Sequence, residues 1–336
     1  MGAVMAGADP APVLRHDSRW HPNRTRRMTS LFDPLRARAA ALEPTRTAVV
    51  YPLSQAALAA AYEAADAGYV EPVLVGPQAA MVALMRRHGL PVGRFATVDT
   101  RDDPREAAHR AALLARDGAV QALMKGSLHT DECMSAIVPR DAGLHTQRRI
   151  SHVFMLGFAT YPKLLALTDA AVNIAPGLAD KADIARNAID LCRALGVDTP
   201  KVAVLAATEE VNPAMPATVD AAALAKMAER GQIRHGIVDG PLAFDVAISA
   251  SAAQEKRVIS RVAGDPDVLL VPDIETGNAL YKQAAYLAGA ELGGLVLGAT
   301  VPVLLTSRAD SVATRINSCI LANLYAHWLE NEGRRD

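Results

Sequence analysis

Cysteine, aromatic side chains, net charge and long apolar runs are all scarce in this chain, and each scarcity removes a class of protein. The three cysteines, Cys133, Cys192 and Cys319, are odd in number and far apart. That spacing yields neither a disulfide framework nor a zinc site, and it suits reduced thiols in a cytoplasmic protein. As isolated residues they read as small buried hydrophobes rather than nucleophiles. Basic and acidic residues number 35 and 36, for a formal net charge of −1. With no global field to draw them in, nucleic acid and acidic membranes are not expected as partners, and any anionic ligand must be held locally. No window offers the roughly eighteen consecutive apolar residues of a membrane span, because the run over 292–305 is short and broken by glycines and Pro302. There is also no G-x-G-x-x-G run after a strand pattern and no tight set of aspartates, so neither a dinucleotide fingerprint nor a metal site is expected.

What is present is material for buried sheets. The chain is 51% hydrophobic and only 4% aromatic, so alanine and aliphatic side chains must do the packing. Its 336 residues exceed the size at which one core keeps growing, which favours two domains. Residues 1–30 are set apart by Arg15, Arg19, Arg24, Arg26 and Arg27 among scattered prolines. With no continuous apolar core this segment reads as an unstructured tail, not a secretory signal.

From Thr47 onward, short β-branched runs alternate with longer alanine-rich amphipathic ones, the pattern of strands and helices in a largely parallel sheet. Strands are expected near 48–51, 72–75, 95–98 and 122–125, with helices near 54–67, 78–88, 104–116 and 130–138. Gly68, Gly76-Pro77 and Gly118 punctuate them. A second series predicts strands near 153–156, 171–174, 202–206, 236–238 and 268–271. A helix over 183–195 has Asp180 as its expected N-cap and Gly196 as its stop. Two apolar runs over 290–305 precede a last helix near 310–329.

Between those apolar runs and the last helix lies Thr306-Ser307-Arg308-Ala309-Asp310-Ser311. Small polar groups and a cation thus sit where a strand hands over to a helix. The first turn of a helix has unpartnered N–H groups and a partial positive charge, and a guanidinium adds a planar fork that fits phosphate oxygens in pairs. The same string admits a plainer reading in which Ser307 or Asp310 caps the helix. Lys125-Gly126-Ser127-Leu128-His129-Thr130 likewise reads as strand end, glycine turn and helix cap, with Asp131 and Glu132 in the first turn.

These two strings, together with Arg148-Arg149-Ile150-Ser151-His152-Val153-Phe154, Val211-Asn212-Pro213-Ala214-Met215-Pro216, Asp239-Gly240-Pro241-Leu242-Ala243-Phe244-Asp245 and Pro272-Asp273-Ile274-Glu275-Thr276-Gly277-Asn278, follow one another in an order that resembles the phosphate acetyltransferase and phosphate butyryltransferase family. The resemblance runs from about Thr47 to about Trp328. It implies two α/β/α domains with mainly parallel sheets, like isocitrate and isopropylmalate dehydrogenases, with a cleft between them. The first would comprise 31–148 plus 306–336, and the second 149–305.

The activity it implies is exchange of a short acyl group between coenzyme A and inorganic phosphate, both substrates, with no cofactor or metal and no covalent intermediate. It implies catalytic roles for Ser307, near the reacting sulfur, and Arg308, on phosphate. Acetyl-specific members use an aspartate seven residues past that serine as base for the coenzyme A thiol, and Thr314 stands there instead. Asp310 is the nearest carboxylate, either a base or a cap, and the TSRAD form looks closer to butyryltransferases. Ser127, His129 and Thr130, beside Lys125, become candidates for phosphate or acyl contacts. Tyr281 and Lys282 become candidates for contacts to coenzyme A, although Lys282 also reads as a solvated helix lysine. The tandem Arg148-Arg149 meets nucleotide phosphates or closes a surface ion pair. A homodimer or larger homo-oligomer is implied as well. Two rivals remain at this point: a nicotinamide-dependent dehydrogenase of the same fold, and a non-catalytic sensor of acyl-CoA or phosphate.

Overall fold

A computed structural model describes residues 30–138, 143–305 and 310–331. The expected tail falls almost wholly outside them, as do Ser307 and Arg308. The chain begins with α1 (Asp33–Ala39), then alternates through β1 (Thr45–Val50), α2 (Gln55–Asp66), β2 (Val70–Gly76), α3 (Gln78–Arg87), β3 (Ala96–Asp99), α4 (Pro104–Arg116), β4 (Ala122–Lys125) and α5 (Thr130–Ser135). The second series is β5 (Ser151–Gly157), β6 (Leu165–Thr168), α6 (Leu178–Ala194), β7 (Lys201–Leu205), α7 (Pro216–Glu229), β8 (Ile237–Leu242), α8 (Phe244–Ile248), α9 (Ala250–Glu255), β9 (Val268–Leu270) and α10 (Ile274–Tyr286). The described chain closes with β10 (Glu291–Leu297), β11 (Val303–Leu304) and α11 (Val312–Asn331).

The eleven strands of the described residues join one sheet in the order β3-β2-β1-β4-β11-β10-β5-β6-β9-β7-β8. It is mostly parallel, as the alternating pattern predicts. Antiparallel pairing is confined to the middle, where β10 meets β11 and β5, and where β5 meets β6. Along β1 the side chains alternate between two cores: Val49 faces α2, α3 and α11, while Ala48 and Val50 face α4 and α5. Both faces are covered, so the strand reads as a continuous apolar run. In α4 the buried stripe is entirely alanine, Ala107, Ala108, Ala111, Ala112 and Ala115, which lets the helix axis approach the sheet closely.

The two faces of the sheet differ. On one, a single core extends from α2 and α3 through α11 and α6 to α7. On the other it divides into two patches, one beneath α4 and α5 and the other beneath α8, α9 and α10. The break falls at the antiparallel centre, where β10 carries Gly294 beside His152 and Phe154 of β5.

Three local expectations are corrected. Residues 171–174 form no strand, because the buried Asp169 carboxylate accepts the N–H groups of Ala171, Val172 and Asn173 and turns the chain; the strand lies earlier, at β6. Asp180 is not the N-cap of α6. The helix starts after Gly177, and Asp180 reaches back from the first turn to accept the Gly177 N–H at 3.2 Å, while Gly196, at φ +96°, follows the helix end as expected. At the last helix the capping oxygen is that of Ser311, which accepts the Thr314 N–H at 3.1 Å.

Candidate functional site

Strand register joins parts of the chain about 180 residues apart in sequence. β11 pairs with β4 in parallel with Leu304 opposite Met124, so the chain leaving β11 at Leu305 starts beside Lys125. β1 pairs with the other side of β4, Val50 opposite Lys125. Three strands therefore end at one level, and the turns at 51–54 and 125–130, with Leu305 where the chain leaves β11, share one end of the sheet. In a parallel sheet this carboxyl end is where helix N-termini and loops gather to bind ligands.

The turns are locked by main-chain bonds. Gly126 N–H donates to Val50 O and Ser127 N–H donates to Tyr51 O, each at 2.9 Å. A Cβ on Gly126 would lie 2.3 Å from Val50 O and 2.9 Å from Tyr51 O, so only glycine fits between these strand ends. Tyr51 itself adopts φ +51°, an uncommon conformation for a bulky residue, at the same junction. Its hydroxyl donates to Asp102 at 2.6 Å, and that bond, together with burial and the Asp102 charge, pushes the phenol up to about 12. Ser127 Oγ donates to Ser54 Oγ at 2.9 Å, and Ser54 in turn caps α2 by accepting the Ala57 N–H. Lys125 Nζ bonds Leu128 O at 3.2 Å, folding the lysine over its own turn. His129 and Thr130 are exposed at the start of α5, and Glu132 accepts the His129 N–H at 2.7 Å.

The second patch presents an aromatic wall. The Tyr281 ring stacks on Phe154 at 3.9 Å with an interplanar angle of 10°, and Phe154 in turn leans on His152 at 4.1 Å. Burial raises the Tyr281 phenol, and the Asp310 charge is the next contribution, so Asp310 and Tyr281 lie within electrostatic reach of one another. Lys282, one residue on, is exposed. His152 is 3% exposed, with its Nδ1 buried and unpaired. Burial holds its imidazole down to about 4, against an opposing pull from the Asp169 charge.

The structure thus gathers Lys125, Ser127, His129, Thr130 and Asp310 at one end of the sheet and brings Tyr281 toward it from the other patch. Ser307 and Arg308 lie outside the described residues. The tandem arginines are engaged within the protein: Arg148 pairs with the largely buried Asp190, and Arg149 Nε donates to Asn173 Oδ1 at 2.8 Å. All three cysteines are buried; burial pushes Cys133 and Cys319 up to about 12 and raises Cys192 as well, as expected for packing rather than nucleophilic residues. Sequence reasoning passed over Ser54, whose position after a strand and before an alanine-rich helix is an N-cap signal, and Arg315, a cation in the first turn of a helix where cations are disfavoured.

Among the described residues no helix is long and apolar enough to cross a membrane. The family profile described as phosphate acetyl/butaryl transferase matches residues 99–323. A phosphate acetyltransferase of Rickettsia felis is 49% identical over 298 residues, covering 88% of this chain and 85% of that protein. A phosphate butyryltransferase of Clostridium acetobutylicum is 38% identical over 299 residues, covering 89% and 99%. Among solved structures, a branched-chain phosphotransacylase from Enterococcus faecalis superposes with a TM-score of 0.74 at 29% identity, covering 84% of this chain and 99% of that one. A putative 4-hydroxythreonine-4-phosphate dehydrogenase from Salmonella typhimurium shares the fold alone, with a TM-score of 0.54 at 14% identity over 84% and 99% of the two chains. The relatives favour acyl transfer over hydride transfer on this dehydrogenase-like fold, and the chain belongs to the phosphate acetyl- and butyryltransferase family.

Proposed function

We propose that the protein is a phosphate acyltransferase that moves a short acyl group, acetyl or butyryl, directly between coenzyme A and inorganic phosphate. A phosphate oxygen attacks the thioester carbonyl carbon, the resulting oxyanion collapses, the C–S bond breaks, and the departing thiolate takes a proton. Three tasks follow: hold a dehydrated phosphate, stabilise the oxyanion and manage the thiol proton. Arg308 and the N–H groups opening α11 hold phosphate, and Ser307 sits by the sulfur. Asp310 exchanges the proton with the thiol. Lys125, Ser127, His129 and Thr130 supply contacts to phosphate and acyl oxygens, and Tyr281 and Lys282 contact coenzyme A.

The observation that carries this proposal is the register Leu304 opposite Met124, which sets Leu305, the residue before the 306–311 string, beside Lys125. The Ser311 cap supports a chemical role for Asp310, because the helix end is satisfied by its neighbour. For acyl preference the two indications differ: the TSRAD string resembles butyryltransferases, whereas identity is higher to the acetyltransferase than to the butyryltransferase. Steady phosphate-dependent release of coenzyme A thiol from acetyl-, propionyl- and butyryl-CoA, compared in one assay, tests the activity and ranks the three. Thioester binding without release would replace the enzyme by a sensor.

We further propose a division into 31–148 plus 306–336 and 149–305, supported by the break between the two core patches. Assembly as a homodimer or larger homo-oligomer is supported by the exposed Ile259, Tyr286 and Leu287. A cytoplasmic location is supported by three buried free thiols.

A further inference from the structure

We propose that Arg315 is a positioning residue for acyl transfer: its guanidinium holds the backbone at Asp310, and Glu63 of α2 holds the guanidinium. The proposal rests on the reading of Asp310 as the group that exchanges the thiol proton and deepens it by naming what keeps that residue in place.

Arg315 lies in the first turn of α11, where the helix field disfavours a cation. Its place there is explained by its two partners. Nη1 donates to the carbonyl oxygen of Asp310 at 2.8 Å, and Nη2 donates to Glu63 Oε2 at 3.1 Å, bridging groups more than 240 residues apart in sequence. The arginine side chain is 15% exposed and its Nε is buried without a partner, so the group is withdrawn from water to make these two bonds. An oxygen acceptor on each arm of a planar fork sets the direction of both, which a lysine ammonium cannot do. Ser311 holds the other side of the same junction, its side chain accepting from Thr314 N–H and its carbonyl from Arg315 N–H. The peptide leaving Asp310 is therefore fixed from two directions. The orientation of that peptide governs where the Asp310 side chain points, and the Asp310 charge acts on the Tyr281 phenol.

A tie that merely joins α11 to α2 would stabilise the fold without touching turnover. The two roles are separated by measuring kcat, KM for acyl-CoA and thermal unfolding on the full-length Arg315→Met, Arg315→Lys and Glu63→Gln proteins. Misplacing a catalytic turn by a fraction of an ångström is expected to lower kcat of Arg315→Met roughly thirtyfold with KM for acyl-CoA within about twofold. Arg315→Lys, which keeps the charge and one donor, recovers part of that loss, and Glu63→Gln, which keeps an acceptor oxygen, loses roughly threefold. A kcat per folded molecule within twofold of the parent for Arg315→Met, with only its melting temperature lowered, overturns the proposal. Failure of the underlying reading has a different signature: the parent turns over normally and so do Asp310→Asn and Arg308→Ala. If the parent shows no turnover, amide exchange decides, since positioning requires faster exchange at 311–314 in Arg315→Met and unchanged protection overturns it.

Discussion

The two core patches on the divided face of the sheet are built from different materials. Under α4 and α5 the packing side chains are small, dominated by the alanines of α4, and the strand ends above them are pinned by main-chain bonds among Val50, Tyr51, Gly126 and Ser127. Under α8, α9 and α10 leucines are the commonest buried side chains, aromatics pack against them from the margin, and a cavity of about 300 Å³ is lined by Leu156, Phe158, Leu167, Phe244 and Leu280. The first construction suits a small, highly charged ligand, because backbone donors fixed by close packing need no reorganisation when an anion arrives. The second suits a bulky, partly apolar one, because stacked rings offer wide surfaces at low entropic cost. A reaction between inorganic phosphate and a large thioester calls for both.

If the anion is held on the alanine-packed side, loss of its guanidinium carries the largest penalty: Arg308→Ala is expected to lower turnover by roughly a hundredfold or more, and a loss under about fivefold in the thiol-release assay would reassign Arg308. The rigidity of that side is probed next by Gly126→Ala. The added Cβ meets two carbonyl oxygens of the neighbouring strand end, neither of which can swing away, so chemical denaturation should show a loss of about 2 kcal/mol or more. A loss below about 0.5 kcal/mol would show that the junction yields.

On the aromatic side the probe is pH. His152 is held neutral by burial, with its pKa lowered from 6.5 to about 4, so between these values the unfolded chain binds a proton that the native state refuses. Stability is full above pH 6.5, falls as pH drops through the window and levels off near 4. The part due to His152 is about 3 kcal/mol. Unfolding curves of the parent and His152→Leu across pH 4 to 7 should differ in slope, and parallel curves would place the titration elsewhere.

Elements built from local signals were legible before the structure was known. α4 and β4 match their expected bounds because Asp103 and Pro104 open the helix, Gly118 closes it, and an apolar run follows. The turn at 125–130 was legible from its glycine and its acidic first turn. Misreadings arose where a side chain outside the pattern decided the backbone. The apolar string 171–174 reads as a strand until the Asp169 carboxylate claims three of its amides. Asp310 and Ser311 are both competent caps, and only three-dimensional placement shows that Ser311 serves while the Asp310 carbonyl is taken by Arg315.

The sequence by itself determined the alternation of strands and helices, the turn chemistry and the family, because propensity, periodicity and motif order act over a few residues at a time. Tertiary structure decided which turns meet. Hydrogen-bond register between β4 and β11, a break in one core at Gly294, and a guanidinium shared between α2 and Asp310 join residues that carry no local trace of one another. Their positions follow from packing the whole sheet, where each strand's level is fixed by its neighbours and the helices covering them.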